Sequence, residues 1–278
     1  MHLYRLDVSE RKRERERSRR EISERDRVFI SDVIRERFSL VPTLQTKALD
    51  FGCGLGEMVG YLHSQGYDAY GCDTDPVWEQ NEASPKGRLE RIATSPYRLP
   101  YADATFDVVY STSVLEHARN PLECFREIHR VLKPGGWSFH LFPAKWYLPS
   151  EPHIRIPLAN VFWPHCPDWW IGLWVLLRVV QVPRLRPDWR GVHREYCAFM
   201  RGGVSYLPNR TYRRLSLEVF GGHGSLVDFY IARSGGGYAR LARRLPFRGL
   251  AGWLSSRFRM NMIYQRKGKK ALCGAPGH

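Results

Sequence analysis

Three glycines at alternate positions form the part of this sequence best suited to bind a small ligand. Residues 47–57 read KALDFGCGLGE, in which a short apolar segment containing Asp50 is followed by Gly52, Gly54 and Gly56. Glycine accepts positive φ, and without a Cβ it lets a ligand lie against the backbone. A strand, a glycine-rich turn and a helix predict the nucleotide-binding corner of a doubly wound sheet. The same residues also suit a tight turn that binds nothing.

Carboxylates follow the next predicted strand. Residues 67–72 read YDAYGC, and Asp73, Thr74 and Asp75 come directly after them. In dinucleotide-binding folds, an acidic residue at the tip of the second strand, about 20 residues beyond the glycines, holds ribose hydroxyls. We expect Asp73 to do this, with Asp75 as the second choice. Turn chemistry alone would also explain an Asp at this point.

Several segments, in the right order, resemble the motifs of class I S-adenosylmethionine (SAM) methyltransferases. The GxGxG pattern behind an Asp is similar to their first motif. LPYADATFDVVY at 99–110 resembles their "LPF-D-x-x-FD-V-V" segment, LEH at 115–117 their element after the fourth strand, and LKPGG at 132–136 the turn before their fifth strand. The resemblance covers residues 45–143. A nicotinamide dehydrogenase, the alternative for the glycine loop alone, has no reason to carry the later motifs.

The resemblance implies that the chain binds SAM and transfers its methyl group. Asp50 stands where these enzymes place a carboxylate near the methionyl ammonium. Ser95 stands where many relatives have an acidic residue that binds the adenine amine, and a hydroxyl accepts that hydrogen bond more weakly. The cofactor-binding residues expected on this basis are Asp50, Gly52, Gly54, Gly56, Asp73, Thr74, Ser95 and Ser111.

The implied fold class is α/β, with a Rossmann-like, doubly wound, mostly parallel seven-stranded sheet and an inserted cap after strand five. Late strands are expected at 226–230 and 261–265. We divide the chain into a charged leader at 1–27, a SAM-binding core at 28–143, an inserted substrate cap at 144–206, and the remainder of the fold at 207–270 with a basic amphipathic segment.

Two histidines are candidate catalytic residues. Methyl transfer from SAM is a displacement at carbon in which positioning supplies much of the catalysis, but an acceptor hydroxyl would also need a base. His117, in the LEH element, and His153, in the proline-rich insertion, are the candidates. A structural role explains His117 equally well, because the Glu-His pair recurs in relatives with unrelated acceptors. No cysteine or histidine spacing predicts a metal site.

The acceptor is expected to be a small molecule or a glycan- or lipid-pathway intermediate. The alternatives are an RNA methyltransferase and a non-catalytic SAM-binding subunit. Six cysteines without a CxxC pair and a start without an apolar run predict a cytoplasmic location.

The positive charge lies in the C-terminal third. The formal net charge is +15, and residues 183–270 contain 19 Lys/Arg against 4 Asp/Glu, which accounts for the whole excess. This predicts contact with an anionic partner, above all a peripheral contact with an anionic membrane, with nucleic acid less favoured. The neighbouring run at 168–182, DWWIGLWVLLRVVQV, is shorter than the roughly 20 residues that span a bilayer. It is expected to be either a buried cap helix or an interfacial helix.

Overall fold

Seven strands form a single sheet in this structure, a computed structural model that describes residues 24–80, 82, 84–94, 96–177, 180, 188–233, 237–244 and 248–268. The strands are β1 (Lys47–Phe51), β2 (Asp68–Asp73), β3 (Leu89–Arg91), β4 (Phe106–Thr112), β5 (Leu132–Pro143), β6 (Gly224–Ser225) and β7 (Met260–Arg266). Their order is β3-β2-β1-β4-β5-β7-β6. The first five are parallel, whereas β7 pairs antiparallel with β5 and β6. The predicted fold class is therefore confirmed.

Helices cover both faces of this sheet and fill the long connection after β5. They are α1 (Glu24–Asp32), α2 (Glu57–Ser64), α3 (Pro121–Val131), α4 (Ala159–Phe162), α5 (Asp168–Leu176), α6 (Trp189–Gly202), α7 (Asn209–Phe220), α8 (Val227–Arg233), α9 (Gly237–Arg244) and α10 (Arg248–Phe258). A π-helical turn, Val33–Arg37, continues α1.

Residues of β4 contribute to both halves of the core. Val108 and Tyr110 belong to an apolar cluster with residues of α1, α2 and α8, while Phe106 and Val109 belong to a second cluster with α3 and α7. A parallel strand buried on both faces is expected to be apolar throughout. Burial of each such side chain stabilises the fold by about 1.5–3 kcal/mol. Apolar packing thus covers both faces of the sheet. The edge formed by the carboxyl ends of the parallel strands stays available for a ligand site.

The connection after β5 has its own apolar cluster, which includes Ile156, Ile171, Val192 and Tyr206. Helix α5 packs against α6, and Arg201 pairs with Asp168 at 2.6 Å.

Helix α5 has an apolar face on each side. Ile171, Gly172 and Val175 are buried, whereas Trp169, Leu173 and Leu176 are exposed. The two alternatives for this helix, buried or interfacial, are therefore not exclusive. Within the described residues, no helix is long and apolar enough to cross a membrane.

The strand predicted at 226–230 is wrong. Strand β6 ends at Ser225, and the residues after Leu226 form α8. Val227 and Ile231 are four residues apart and both buried, so the short apolar run has helical rather than alternating burial. The strand predicted at 261–265 is confirmed as β7. Of the predicted leader, residues 1–23 lie outside the described part of the chain, and the division into leader, core, cap and remainder stays a prediction.

Candidate functional site

The glycine loop leaves β1 and turns across the ends of β2 and β4. The backbone N–H groups of Gly52 and Cys53 both donate to Cys72 O, at 2.7 and 3.1 Å, and Gly54 N donates to Asp73 Oδ2 at 2.9 Å. All three predicted glycines have positive φ: 86° at Gly52, 51° at Gly54 and 74° at Gly56. Residues other than glycine rarely adopt this backbone conformation. The sequence pattern therefore follows from the path of the backbone.

The room that a Cβ would find differs among the three glycines, which indicates different roles. A Cβ at Gly52 would lie 2.2 Å from Val114 Cγ2, and one at Gly56 would lie 2.6 Å from Leu89 Cδ1. A Cβ at Gly54 would meet no atom of the described residues within 4 Å, its two chain neighbours aside. Gly52 and Gly56 are thus required by packing inside the protein. Gly54 leaves open space on the side of a cavity.

Two adjacent cavities meet at this loop and share Gly52 and Ser113 in their walls. The larger has a volume of about 670 Å³ and the smaller about 270 Å³. Polar groups of the larger include Asp50, Gly54, Tyr110 and Thr112, whereas the smaller is lined by Asp73, Thr74, Ile92, Tyr97 and His117 among others. A ligand with two polar ends could therefore lie across the glycine loop.

Asp73 connects this loop with the end of β2. Its Oδ1 accepts from Thr74 N at 2.6 Å and from Asp75 N at 3.3 Å, and its Oδ2 accepts from Gly54 N. Oδ1 also accepts from Thr74 Oγ1 at 3.4 Å, but Oδ2 accepts this one hydrogen bond alone from the described residues, so it can accept a second one from a ligand in the smaller cavity. The Asp73 carboxylate is therefore both fixed in position and able to bind hydroxyls.

Asp50 places a buried carboxyl group in the wall of the larger cavity. Burial raises its pKa to about 7, and the charge of Asp73 adds to this, while the neighbouring Tyr110 hydroxyl opposes it. The Tyr110 hydroxyl lies against Asp50, whereas the buried Thr112 hydroxyl, in the same wall, makes no hydrogen bond to any described residue. A cationic ligand with N–H donors would restore the charge of Asp50 and satisfy the Thr112 oxygen. The residues present therefore fit the ammonium end of SAM.

The remaining predicted cofactor residues do not all reach these cavities. The hydroxyl of Ser111 is buried within β4 and bonded to His140 Nδ1 at 2.8 Å. It lines neither cavity, whereas Thr112 and Ser113, which follow it, do. Gly56 supports the turn before α2. Ser95 lies outside the described residues.

Both predicted catalytic histidines lie in one cluster with Glu116. The rings of His117 and His153 have centroids 4.9 Å apart. Glu116 Oε1 lies 3.9 Å from His117 Nε2 and 3.8 Å from His153 Nε2. The ligand atoms of the three residues all lie within 4.8 Å of one another, which is compatible with a metal ion. Sequence spacing predicted no metal site, because His153 is far from the other two along the chain.

Glu151 orients His153 from the opposite side. It is fully buried and accepts from His153 N at 2.7 Å, from His153 Nδ1 at 2.6 Å and from the Tyr206 hydroxyl. Burial alone would raise its pKa, but these hydrogen bonds and the charge of His153 outweigh burial, so the pKa lies below its usual value. Burial would likewise lower the pKa of His153, yet the Glu151 contacts raise it. By contrast, burial lowers the pKa of His117.

Residues 49–140 match the family model of a methyltransferase domain. The chain is similar to cycloartenol-C-24-methyltransferase 1 of Oryza sativa subsp. japonica, at 31% identity over 32% of this chain and 28% of that protein. It is similar to malonyl-[acyl-carrier protein] O-methyltransferase of Pseudescherichia vulneris, at 30% identity over 32% of this chain and 35% of that protein. For ubiquinone biosynthesis O-methyltransferase of Aliivibrio fischeri the identity is 32%, over 34% of this chain and 42% of that protein. The match thus spans less than half the length of each of these relatives.

Among solved structures, the chain is similar to the plantazolicin methyltransferase BpumL in complex with a pentazolic desmethylPZN analog and SAH. The TM-score is 0.54 at 14% identity, over 95% of this chain and 92% of that one. At this identity the likeness concerns the fold alone. The sheet order and the glycine loop define a class I methyltransferase fold. Within that fold, residues 49–140 are similar to the methyltransferase-domain family.

Replacement of Gly54 is expected to separate cofactor binding from folding. Gly54→Ala adds a methyl group that meets the cofactor but no protein atom, so SAM affinity should fall at least about ten-fold, while positive φ costs about 1–2 kcal/mol of stability. Calorimetric titration with SAM and thermal unfolding measure the two effects.

Two other glycines provide matched controls. Gly52→Ala meets Val114 and should destabilise the fold by about 1–3 kcal/mol more than Gly54→Ala. Gly60→Ala, in α2, meets no neighbouring atom and should leave SAM affinity unchanged. Undiminished SAM binding by a folded Gly54→Ala protein would contradict the placement of the cofactor.

Proposed function

We propose that this chain transfers the methyl group of SAM to a small-molecule, glycan-pathway or lipid-pathway acceptor. One observation carries the proposal: the cavity next to Asp73 joins, at Gly52 and Ser113, a larger cavity with room for a second molecule. SAM supplies a methyl group on an already activated sulfonium. The protein then has to hold donor and acceptor in line and exclude water, which contributes most of the catalysis.

Three groups of residues would hold the cofactor. Asp73 and Thr74, in the smaller cavity, would bind the ribose hydroxyls. Asp50, with the Thr112 hydroxyl, would bind the methionyl ammonium. The backbone of Gly54 would lie along the bound ligand because no side chain separates them.

The larger cavity favours an apolar acceptor. Its walls include Phe29, Ile30, Leu141, Met260 and Met262, with Arg259 as a cationic group. Nucleic acid would require an extended basic and aromatic surface at the cavity entrance, whereas these walls suit a hydrocarbon or an aromatic ring. The names of the three relatives refer to a sterol, an acyl-carrier thioester and a quinone pathway. These names support a lipid-pathway acceptor.

His117 is the better candidate to receive a proton from an acceptor hydroxyl. It lines the smaller cavity, and burial lowers the pKa of its ring, so the ring is neutral and able to accept. The pKa of His153 is raised by Glu151, and this ring is less suited to act as a base near neutral pH. We assign His153 the task of positioning the cluster.

A labelling experiment tests the proposed activity. Purified protein is incubated with methyl-labelled SAM and a cell extract, and the label is followed into lipid, glycan, small-molecule and RNA fractions. We expect label in lipid or small molecules and formation of S-adenosylhomocysteine, both reduced with Gly54→Ala at a SAM concentration that does not saturate the variant. Label confined to RNA would support an RNA methyltransferase instead. SAM binding without S-adenosylhomocysteine formation in any fraction would indicate a non-catalytic subunit.

The binding of S-adenosylhomocysteine is expected to depend on the ionisation of Asp50. Its ammonium group favours the charged carboxylate, whereas the free protein protonates Asp50 with a pKa of about 7. Affinity should therefore be highest above that pKa and fall as the pH drops below it, by at most about ten-fold per pH unit. Calorimetry across this range measures the slope. Asp50→Asn should bind more weakly with a flatter profile, and an equal slope in that variant would assign the ionisation to another group.

We further propose peripheral contact with an anionic membrane through the cap and α10. Trp169 and Trp253 are exposed by 68% and 54% of their surface. Arginines lie over exposed tryptophans: Arg190 over Trp189 at 4.9 Å and Arg257 over Trp253 at 5.8 Å. Aromatic rings next to cationic groups suit the headgroup region of a bilayer. Such a contact would bring a lipid-pathway acceptor to the enzyme.

Vesicle sedimentation at low and high salt tests the membrane contact. Binding to acidic vesicles is expected and should weaken with salt, because each basic residue near the surface contributes about 1 kcal/mol of screened attraction. The double variant Trp169→Ala/Trp253→Ala should bind more weakly at both salt concentrations. Leu44→Ala, an exposed apolar residue before β1, is the control and should bind normally. A protein that does not sediment with acidic vesicles at low salt would contradict the proposal.

A further inference from the structure

We propose that Glu116, His117 and His153 bind a divalent transition-metal ion at the edge of the smaller cavity. The two imidazole Nε2 atoms lie 3.9 and 3.8 Å from the same oxygen, Glu116 Oε1. The ligand atoms of the three residues lie within 4.8 Å of one another. Two imidazoles and one carboxylate form a donor set that first-row metals such as zinc and cobalt accept.

Hydrogen bonds fix both rings in the tautomer that a metal needs. His117 Nδ1 lies 2.6 Å from the backbone oxygen of Gly203, which can only accept, so Nδ1 carries the proton. His153 Nδ1 donates in the same way to the Glu151 carboxylate. Once Nε2 has lost its proton, as metal binding requires, each ring directs an Nε2 lone pair to the side of Glu116. A carboxylate or carbonyl behind the histidine is the usual second contact of a metal-bound imidazole.

Glu116 supplies an observation independent of the histidines. Only 1% of its surface is exposed, and neither carboxylate oxygen makes a hydrogen bond to any described residue. A buried carboxylate without partners is costly, and burial raises its pKa to about 7. The charge of His153 opposes this effect of burial but does not cancel it. A bound cation would satisfy both oxygens at once.

The distances allow such an ion after a small movement. Zinc bonds nitrogen and oxygen at roughly 2.0–2.2 Å, which places tetrahedral ligand atoms about 3.3 Å apart. The observed separations from Glu116 therefore need to close by about half an ångström. His117 lines the smaller cavity and is partly exposed, so the fourth coordination position would face the cavity. A water molecule or an oxygen atom of a ligand could occupy it.

The chemical consequence rests on the proposed methyl transfer. A cation that binds an acceptor hydroxyl would lower its pKa, so that the proton could pass to solvent water instead of to His117, whose Nε2 would be bound to the ion. The acceptor class would then be a compound with a hydroxyl or carboxylate oxygen. The binding of the ion itself is independent of whether methyl transfer occurs.

Metal binding is tested on the full chain without an affinity tag. Equilibrium dialysis against Zn²⁺ and the visible absorption of Co²⁺ measure the stoichiometry, and thermal unfolding measures stabilisation. We expect one equivalent of metal per chain and a rise in Tm of about 5 °C at a hundred-fold excess over Kd. Glu116→Gln and His153→Gln should each weaken binding at least about ten-fold. His165→Gln, which removes an exposed histidine outside the cluster, should not.

Glu116→Gln also separates the ion from a structural role. The variant removes a buried charge, so without metal it should be at least as stable as the wild type and should gain no Tm from metal. Should it fail to fold, His117→Gln, which alters a partly exposed ring, gives the same comparison. Equal metal binding by a folded variant, or less than one equivalent in the wild type, would overturn the proposal. Calorimetry with SAM is a separate measurement on the wild-type protein. A wild type that does not bind SAM would contradict the proposed function but not the metal site.

Discussion

The hydrogen bond from Gly54 N to Asp73 Oδ2 connects the two parts of the sheet on which the site depends. It joins the loop after β1 to the end of β2 at 2.9 Å. On the other side of the loop, Gly52 lies so close to Val114 that no Cβ fits between them. The loop is therefore held between the ends of β2 and β4. Because both contacts act on the backbone, the open space at Gly54 is kept for a ligand without any side chain needing to move.

Three carboxyl groups near this loop show how environment sets their chemistry. Glu151 is buried but accepts several hydrogen bonds, and these keep its pKa low despite burial. Asp50 and Glu116 are buried with few or no partners, and their pKa rises to about 7. The same physical term, desolvation, acts on all three. Asp50 and Glu116, which accept too few hydrogen bonds to offset burial, would gain from a cationic ligand. Glu151 already has its hydrogen bonds and serves to hold His153 in place.

Local patterns predicted the glycine loop and the Asp73 turn beside it, whereas contacts between distant segments did not show in the sequence. The glycine loop and Asp73 are joined by hydrogen bonds between consecutive strands, so spacing alone indicated them. Ser111 was misplaced because residues of a strand alternate between two faces, and its side chain lies against His140 instead of a cavity. The run at 226–230 was ambiguous because short apolar segments suit a strand or a helix. The cluster of Glu116, His117 and His153 requires the insertion to fold back onto the LEH element, which no periodicity reveals.

The fold alone does not explain why Glu116 is buried while its carboxylate oxygens make no hydrogen bond to any described residue. A glutamine of the same shape would lower the desolvation cost, and an apolar residue of similar size would remove it. Two imidazoles with fixed tautomers lie on the side of this carboxylate, and Glu151 and the Gly203 carbonyl fix those tautomers from behind. If the histidines had only a structural role, one hydrogen bond of this kind would be enough. The arrangement of two oriented nitrogens and one unsatisfied oxygen instead corresponds to a site whose last member, a cation, comes from solution.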